Sequence, residues 1–162
     1  MMTNMQKQVS KEMSLGSAGE VLKGLHSLYL ENAYSAKDFS VKAGCFVQLD
    51  GNFIKGASGS AITGKIVGVA IKDHFINTTE NTHFFQKNDI ATYLSKGCVF
   101  IETKTPAKTG QYVFLKNADG ALVFNDSETL ADHTFTGFQV VQGTGDVINA
   151  ELGFELITIL SK

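Results

Sequence analysis

The sequence predicts an all-β fold, a β-sandwich or jelly-roll-like small barrel with an extended or short-helical N-terminal arm. Three observations predict it. Apolar residues alternate with period two from Phe39 onward, and Asp-Gly dipeptides punctuate the runs. The chain is also rich in Gly (16 residues) yet only 19% charged, which suits short strands joined by turns better than a helical bundle. With 162 residues it has the length of one domain and can bury a core without disulfides or metal.

Residues 1–38 read as the arm and 39–162 as the β-sandwich or jelly-roll-like domain. The first 19 residues are polar and rich in Ser, Gly and Met, a composition that supports no core, and they read as flexible. They carry Lys7 and Lys11 but no apolar stretch of signal-peptide length, so no secretory signal is expected. Residues 20–34 read as short helical or extended. Val21, Leu22, Leu25, Leu28 and Tyr29 recur at helical spacing, while Gly24 weakens a helix. This stripe has to pack on its own domain or on a neighbouring chain.

In Lys65–Asp73, the residues Val67, Val69 and Ile71 are expected on one strand face, with Gly68 and Ala70 on the other. Asp89–Leu94 and Cys98–Thr103 read as a hairpin turning through Ser95-Lys96-Gly97. Glu151–Leu160 starts half-exposed and becomes apolar on both faces, as a strand entering a sandwich core would. Asp50-Gly51 and Asp119-Gly120 supply tight turns, and Pro106 sits in a connector where its missing N–H costs no ladder bond. Gly56-Ala57-Ser58-Gly59-Ser60 joins strand to strand and reads as a mobile loop. A weak internal echo links Gly44–Ile54 with Gly110–Val123. Each unit reads as strand, Asp-Gly turn, strand, loop, strand, with Thr63-Gly64 and Thr136-Gly137 opening the last strand. Two such units can face each other in a sandwich.

The residues carry few signs of chemistry. The net charge is −2, every one of the 14 basic residues is Lys, and Arg, the preferred fork for phosphates and base edges, is absent. Nucleic acid is therefore not an expected partner. No window reaches the roughly 18 apolar residues of a membrane span, and no membrane partner is expected. Cys45 and Cys98 lie in apolar runs without CxxC or CxxH spacing and read as reduced, buried thiols. His26, His74, His83 and His133 are scattered and read as solvated loop residues; a zinc site from His74, His83 and Asp89 has no spacing signature behind it. Asn125-Asp126-Ser127-Glu128 lacks the alternating acidic pattern of a calcium loop. No nucleophile elbow or phosphate loop occurs. No catalytic residue, metal site or cofactor is assigned, and the chain is read as a non-enzyme that binds protein surfaces.

The order of segments then resembles a known family. Lys42–Val47, a glycine-rich loop, Ile66–Ala70, Gln86–Tyr93, Lys96–Ile101, Pro106–Phe114 and Asn117–Leu122 look like the capsid cement (decoration) proteins of tailed bacteriophages, over roughly Ala18 to Leu160. The resemblance implies a structural protein on the exterior of an icosahedral head, made in the host cytoplasm. It would bridge neighbouring major capsid protein subunits and associate with copies of itself, as a trimer ahead of a dimer. Leu15, Val21, Leu22, Leu25, Leu28 and Tyr29 are the expected partner-binding residues, from the apolar stripe beside the polar arm. The competing class is a carbohydrate-binding or adhesin-like β-sandwich on a virion or cell surface. Against it, Trp is absent and the Phe residues lie in strand patterns.

Overall fold

The computed structural model describes residues 17–22, 29–31, 34–38, 40–72, 84–144, 153 and 155–162. Among these the regular structure is β throughout. In chain order the strands are β1 (Val21–Leu22), β2 (Tyr29–Glu31), β3 (Ser35–Ala36), β4 (Phe46–Asp50), β5 (Phe53–Gly56) and β6 (Ile66–Ala70). They continue with β7 (Tyr93–Lys96), β8 (Cys98–Thr103), β9 (Tyr112–Lys116), β10 (Leu122–Asn125), β11 (His133–Gln142) and β12 (Glu155–Ser161).

The strands form two six-stranded sheets, ordered β1-β8-β12-β11-β9-β10 and β2-β7-β6-β4-β5-β3. The fold is a β-sandwich. The echo in the sequence reappears as topology: β5-β4-β6-β7 in one sheet matches β10-β9-β11-β12 in the other. Between the sheets lies the main core, with Phe46, Val69 and Leu94 from one side meeting Val99, Val113, Ile157 and Ile159 from the other. Phe46 and Phe138 span it edge to face, with ring centroids 5.6 Å apart. Each such buried side chain contributes on the order of 1.5–3 kcal/mol of transfer free energy.

The second sheet curls on itself, which buries Phe46 and Val47, Val69 and Ala70, and Leu94 and Tyr93 on opposite faces of its middle strands. β3 pairs with β5 on one side and bridges Ile90 on the other. The Ala91 amide donates to the Tyr34 carbonyl and the Ala36 amide to that of Asp89, and residue 91 runs into β7. The ring encloses a smaller core of Ala36, Val47, Ile54, Ala70, Ala91 and Tyr93.

Several sequence expectations change here. Asp89–Leu94 and Cys98–Thr103 do not form a hairpin. Gly97 alone separates β7 from β8, too short for even a two-residue hairpin loop. The chain passes instead from one sheet to the other, with β7 on β6 and β8 on β12. Val67, Val69 and Ile71 do not share a face. The register with β4 slips between Val47 and Gln48, so Val67 packs into the ring core while Val69 and Ile71 face the main core. Thr136-Gly137 lies inside β11, at a break in its register with β9, and does not open that strand. The Gly56–Ser60 loop packs rather than standing off: Ala57 is fully buried and its amide donates to the Phe46 carbonyl.

Candidate functional site

The apolar stripe near the N-terminus is extended where it is described. β1 pairs with β8, setting Val21 opposite Val99 and Leu22 opposite Cys98. β2 pairs with β7, setting Tyr29 opposite Lys96 and Leu30 opposite Leu94. The two strands therefore follow β7 and β8 across the change of sheet, and each ends its sheet as an edge strand. Val21 is half-buried and packs against the main core of its own sandwich. Leu22 and Tyr29 remain exposed, at 39% and 57%. Leu15, Leu25 and Leu28 lie outside the described residues.

The neighbouring Leu30, not singled out from the sequence, is also exposed. Its adjacency to Tyr29 on a strand was the available signal. Lys96 Nζ sits 5.6 Å from the Tyr29 ring centroid, a cation–π contact that holds the aromatic face at this edge. Beneath it the Tyr93 hydroxyl donates to Glu31 Oε2 over 2.9 Å.

A second apolar group lies on the outer wall of the curled sheet. Ser35 pairs with Phe53 on one side and with Ile90 on the other. Their sequence neighbours Ala36, Ile54 and Ala91 point into the ring core, so these three residues point outward. Phe53 is 38% and Ile90 64% exposed, on either side of the small Ser35. Residues 35, 53 and 90 come from three distant segments, and no local pattern announces the row.

Around these patches the electrostatics are local and modest. Asp50 sits between Lys37 (2.5 Å) and Lys55 (3.7 Å), and the Lys37 hydrogen bond holds its carboxyl below the ordinary aspartate range. A cleft of about 390 Å³ opens between the sheets, lined by Lys42, Cys45, Phe46, Glu102, Lys104 and Leu122 among others. Cys45 is half-buried there and Cys98 is buried; both are free thiols, and burial pushes both upward in pKa. A thiol raised in this way is a poor nucleophile at neutral pH.

Among the described residues no group of three or more His, Cys, Asp or Glu is placed to hold a metal ion. His74 and His83 lie outside those residues, and Asp89 Oδ2 accepts the Gln86 amide. His133 Nδ1 lies 2.6 Å from the Ala131 carbonyl oxygen. No helix among the described residues is long and apolar enough to cross a membrane.

What this arrangement offers is contact area on a rigid two-sheet scaffold. A family model for structural cement proteins (E217 gp24/Pam3 gp6) matches residues 5–153. The chain belongs to the phage cement protein family. It is accordingly a structural, capsid-associated protein of the virion with a cement or decoration role. The cement fold has a solved counterpart in a chain of the capsid of Myoviridae Phage XM1. The two are 16% identical, with a TM-score of 0.56 over 89% of this chain and 88% of that one. At that identity the likeness is one of fold. No curated protein matches the sequence.

Proposed function

We propose that this cement protein docks on the outer surface of an icosahedral head and bridges neighbouring major capsid protein subunits. The observation that carries the reading is a pair of separate exposed apolar patches on one rigid scaffold. One is Leu22, Tyr29 and Leu30 at the edge followed by β1 and β2; the other is the Phe53–Ser35–Ile90 row on the ring wall. A bridging protein needs at least two contact surfaces, and these two are built from different residues of the scaffold. Residues 1–38 act as the arm, with β1, β2 and β3 paired into the sheets, Leu22 and Tyr29 act as partner contacts, and 39–162 form the body of the scaffold. Self-association, as a trimer ahead of a dimer, multiplies the number of contacts per particle.

The physics suits weak individual contacts. Linking several of them raises avidity without any single tight site. A protein that binds the closed shell but not its dissociated subunits stabilises the shell by mass action. The test is head occupancy. Heads lacking the protein are incubated with parent, with Leu22→Ser/Tyr29→Ser, or with Phe53→Ser/Ile90→Ser, and bound copies per head are counted. Reduced occupancy for both doubly substituted proteins, each still folded, supports bridging through two surfaces. Parent-like occupancy for both rejects it.

A further inference from the structure

Two turns with the same central dipeptide meet back to back beside the start of β1. Ser17–Glu20 is closed by the Glu20 amide donating to the Ser17 carbonyl over 2.9 Å, and Lys42–Cys45 by Cys45 to Lys42 over 3.1 Å. Each places Gly third, with φ +81° at Gly19 and +84° at Gly44, as a type II turn requires. Their Ala-Gly faces interlock. A Cβ on Gly44 would stand 2.6 Å from Ala18 Cβ, and one on Gly19 would stand 2.8 Å from Ala43 Cβ. No larger residue fits either position.

The hydrogen bonds leaving this pair reach both sheets. Gly19 donates to Phe100 on β8, and Phe100 returns a bond to Glu20. Gly44 donates to Ala70 at the end of β6, and the Lys72 amide donates to the Gly19 carbonyl. Lys72 Nζ adds a 2.5 Å bond to Ser17 Oγ. One short segment is thus tied to the first sheet through Phe100 and to the second through Lys72, immediately before β1.

We propose that the interlocked Ser17–Glu20 and Lys42–Cys45 turns are an anchor that fixes the N-terminal edge strand to both sheets together. A load on the chain ahead of Ser17 is then shared by the two sheets instead of peeling β1 from β8, whose ladder has two residue pairs among the described residues. The proposal rests on the cement reading only for why such a load arises.

Amide exchange on the free, full-length protein tests it without any head. Gly44→Ala drives a methyl against Ala18, and Ala18→Gly removes the contact without a clash, so the second variant remains informative if the first fails to fold. The anchor predicts that the Gly19 and Lys72 amides exchange at least about tenfold faster in a folded variant, while Val47 and Ile157 stay within about twofold of parent. Unchanged exchange at Gly19 and Lys72 would overturn the proposal, as would a uniform acceleration across both sheets, which is a global stability effect. In parallel, heads carrying parent or Ala18→Gly are heated and release is followed. Parent that never binds heads counts against the cement reading and leaves the exchange result standing.

Discussion

Tyr93 and Glu31 join the interior of the curled sheet to its edge. The Tyr93 ring is fully buried in the ring core, yet its hydroxyl reaches Glu31 on the exposed strand β2. Burial raises the phenol's pKa well above its ordinary value of 10.0, and the Glu31 carboxylate, as acceptor and as charge, raises it further. The bond latches the exposed edge strand β2 onto the scaffold.

Tyr93→Phe is expected to lower unfolding stability by about 1 kcal/mol, since the ring stays packed and one hydrogen bond is lost. Urea titration at neutral pH measures it. The pH dependence has a definite sign. A phenol whose folded pKa is raised stabilises the fold below its unfolded value, and that contribution falls as pH climbs above about 10. The parent should therefore lose stability in alkali with a steeper slope than Tyr93→Phe.

Gln48 is a buried polar side chain whose capacity is used on one loop. Its Oε1 accepts the Thr63 and Gly64 amides at 2.9 and 3.1 Å, and its Nε2 donates to Ala61 O at 3.2 Å. Gln48→Leu keeps the volume but strands two amides and a carbonyl. A loss of about 2–4 kcal/mol is expected by chemical denaturation. A loss of less than about 0.5 kcal/mol would mean the loop is held by other means.

The two Asp-Gly turns, alike in sequence, should respond differently. Gly51 and Gly120 both have positive φ, but nothing lies within 4 Å of a Cβ on Gly51, whereas one on Gly120 would overlap the Ala57 carbonyl oxygen. Gly51→Ala should cost about 1 kcal/mol, the conformational penalty alone. Gly120→Ala should cost about 2 kcal/mol or more, because the Ala57 loop must also move. Thermal melts of the two variants make the comparison.

Asp50 tests the acid limb. Its depressed pKa, due first to the Lys37 hydrogen bond, gives a contribution that is present above its ordinary 3.8 and lost as pH falls through the lower folded value. As pH falls below 3.8, Asp50→Asn should lose less stability than parent in a pH-jump melt.

Much of the fold was legible because period-two patterning reports burial directly. Ile66–Ala70, Cys98–Thr103 and the Glu155–Ser161 end of the last stretch are strands, and the echo between Gly44–Ile54 and Gly110–Val123 corresponds to matching strand order in the two sheets. What alternation does not report is which sheet a strand joins. Around Gly97 the same pattern serves a hairpin or a crossing between layers, and only long-range pairing with β6 and β12 decides. A one-residue bulge reverses faces, as at Val67, without changing the residue types that a strand prefers. At the candidate site, Leu22 and Tyr29 stood out because their stripe is contiguous. Phe53 and Ile90 did not, because Ser35 brings them together only when the sheet curls.

The most direct measurement is cryo-electron imaging of heads stripped of this protein and then re-incubated with it, paired with the temperature at which the shells disrupt. Saturable density on the shell exterior spanning adjacent major capsid subunits is expected, together with a raised disruption temperature. Density confined within single subunits, or full occupancy with no gain in shell stability, would contradict it.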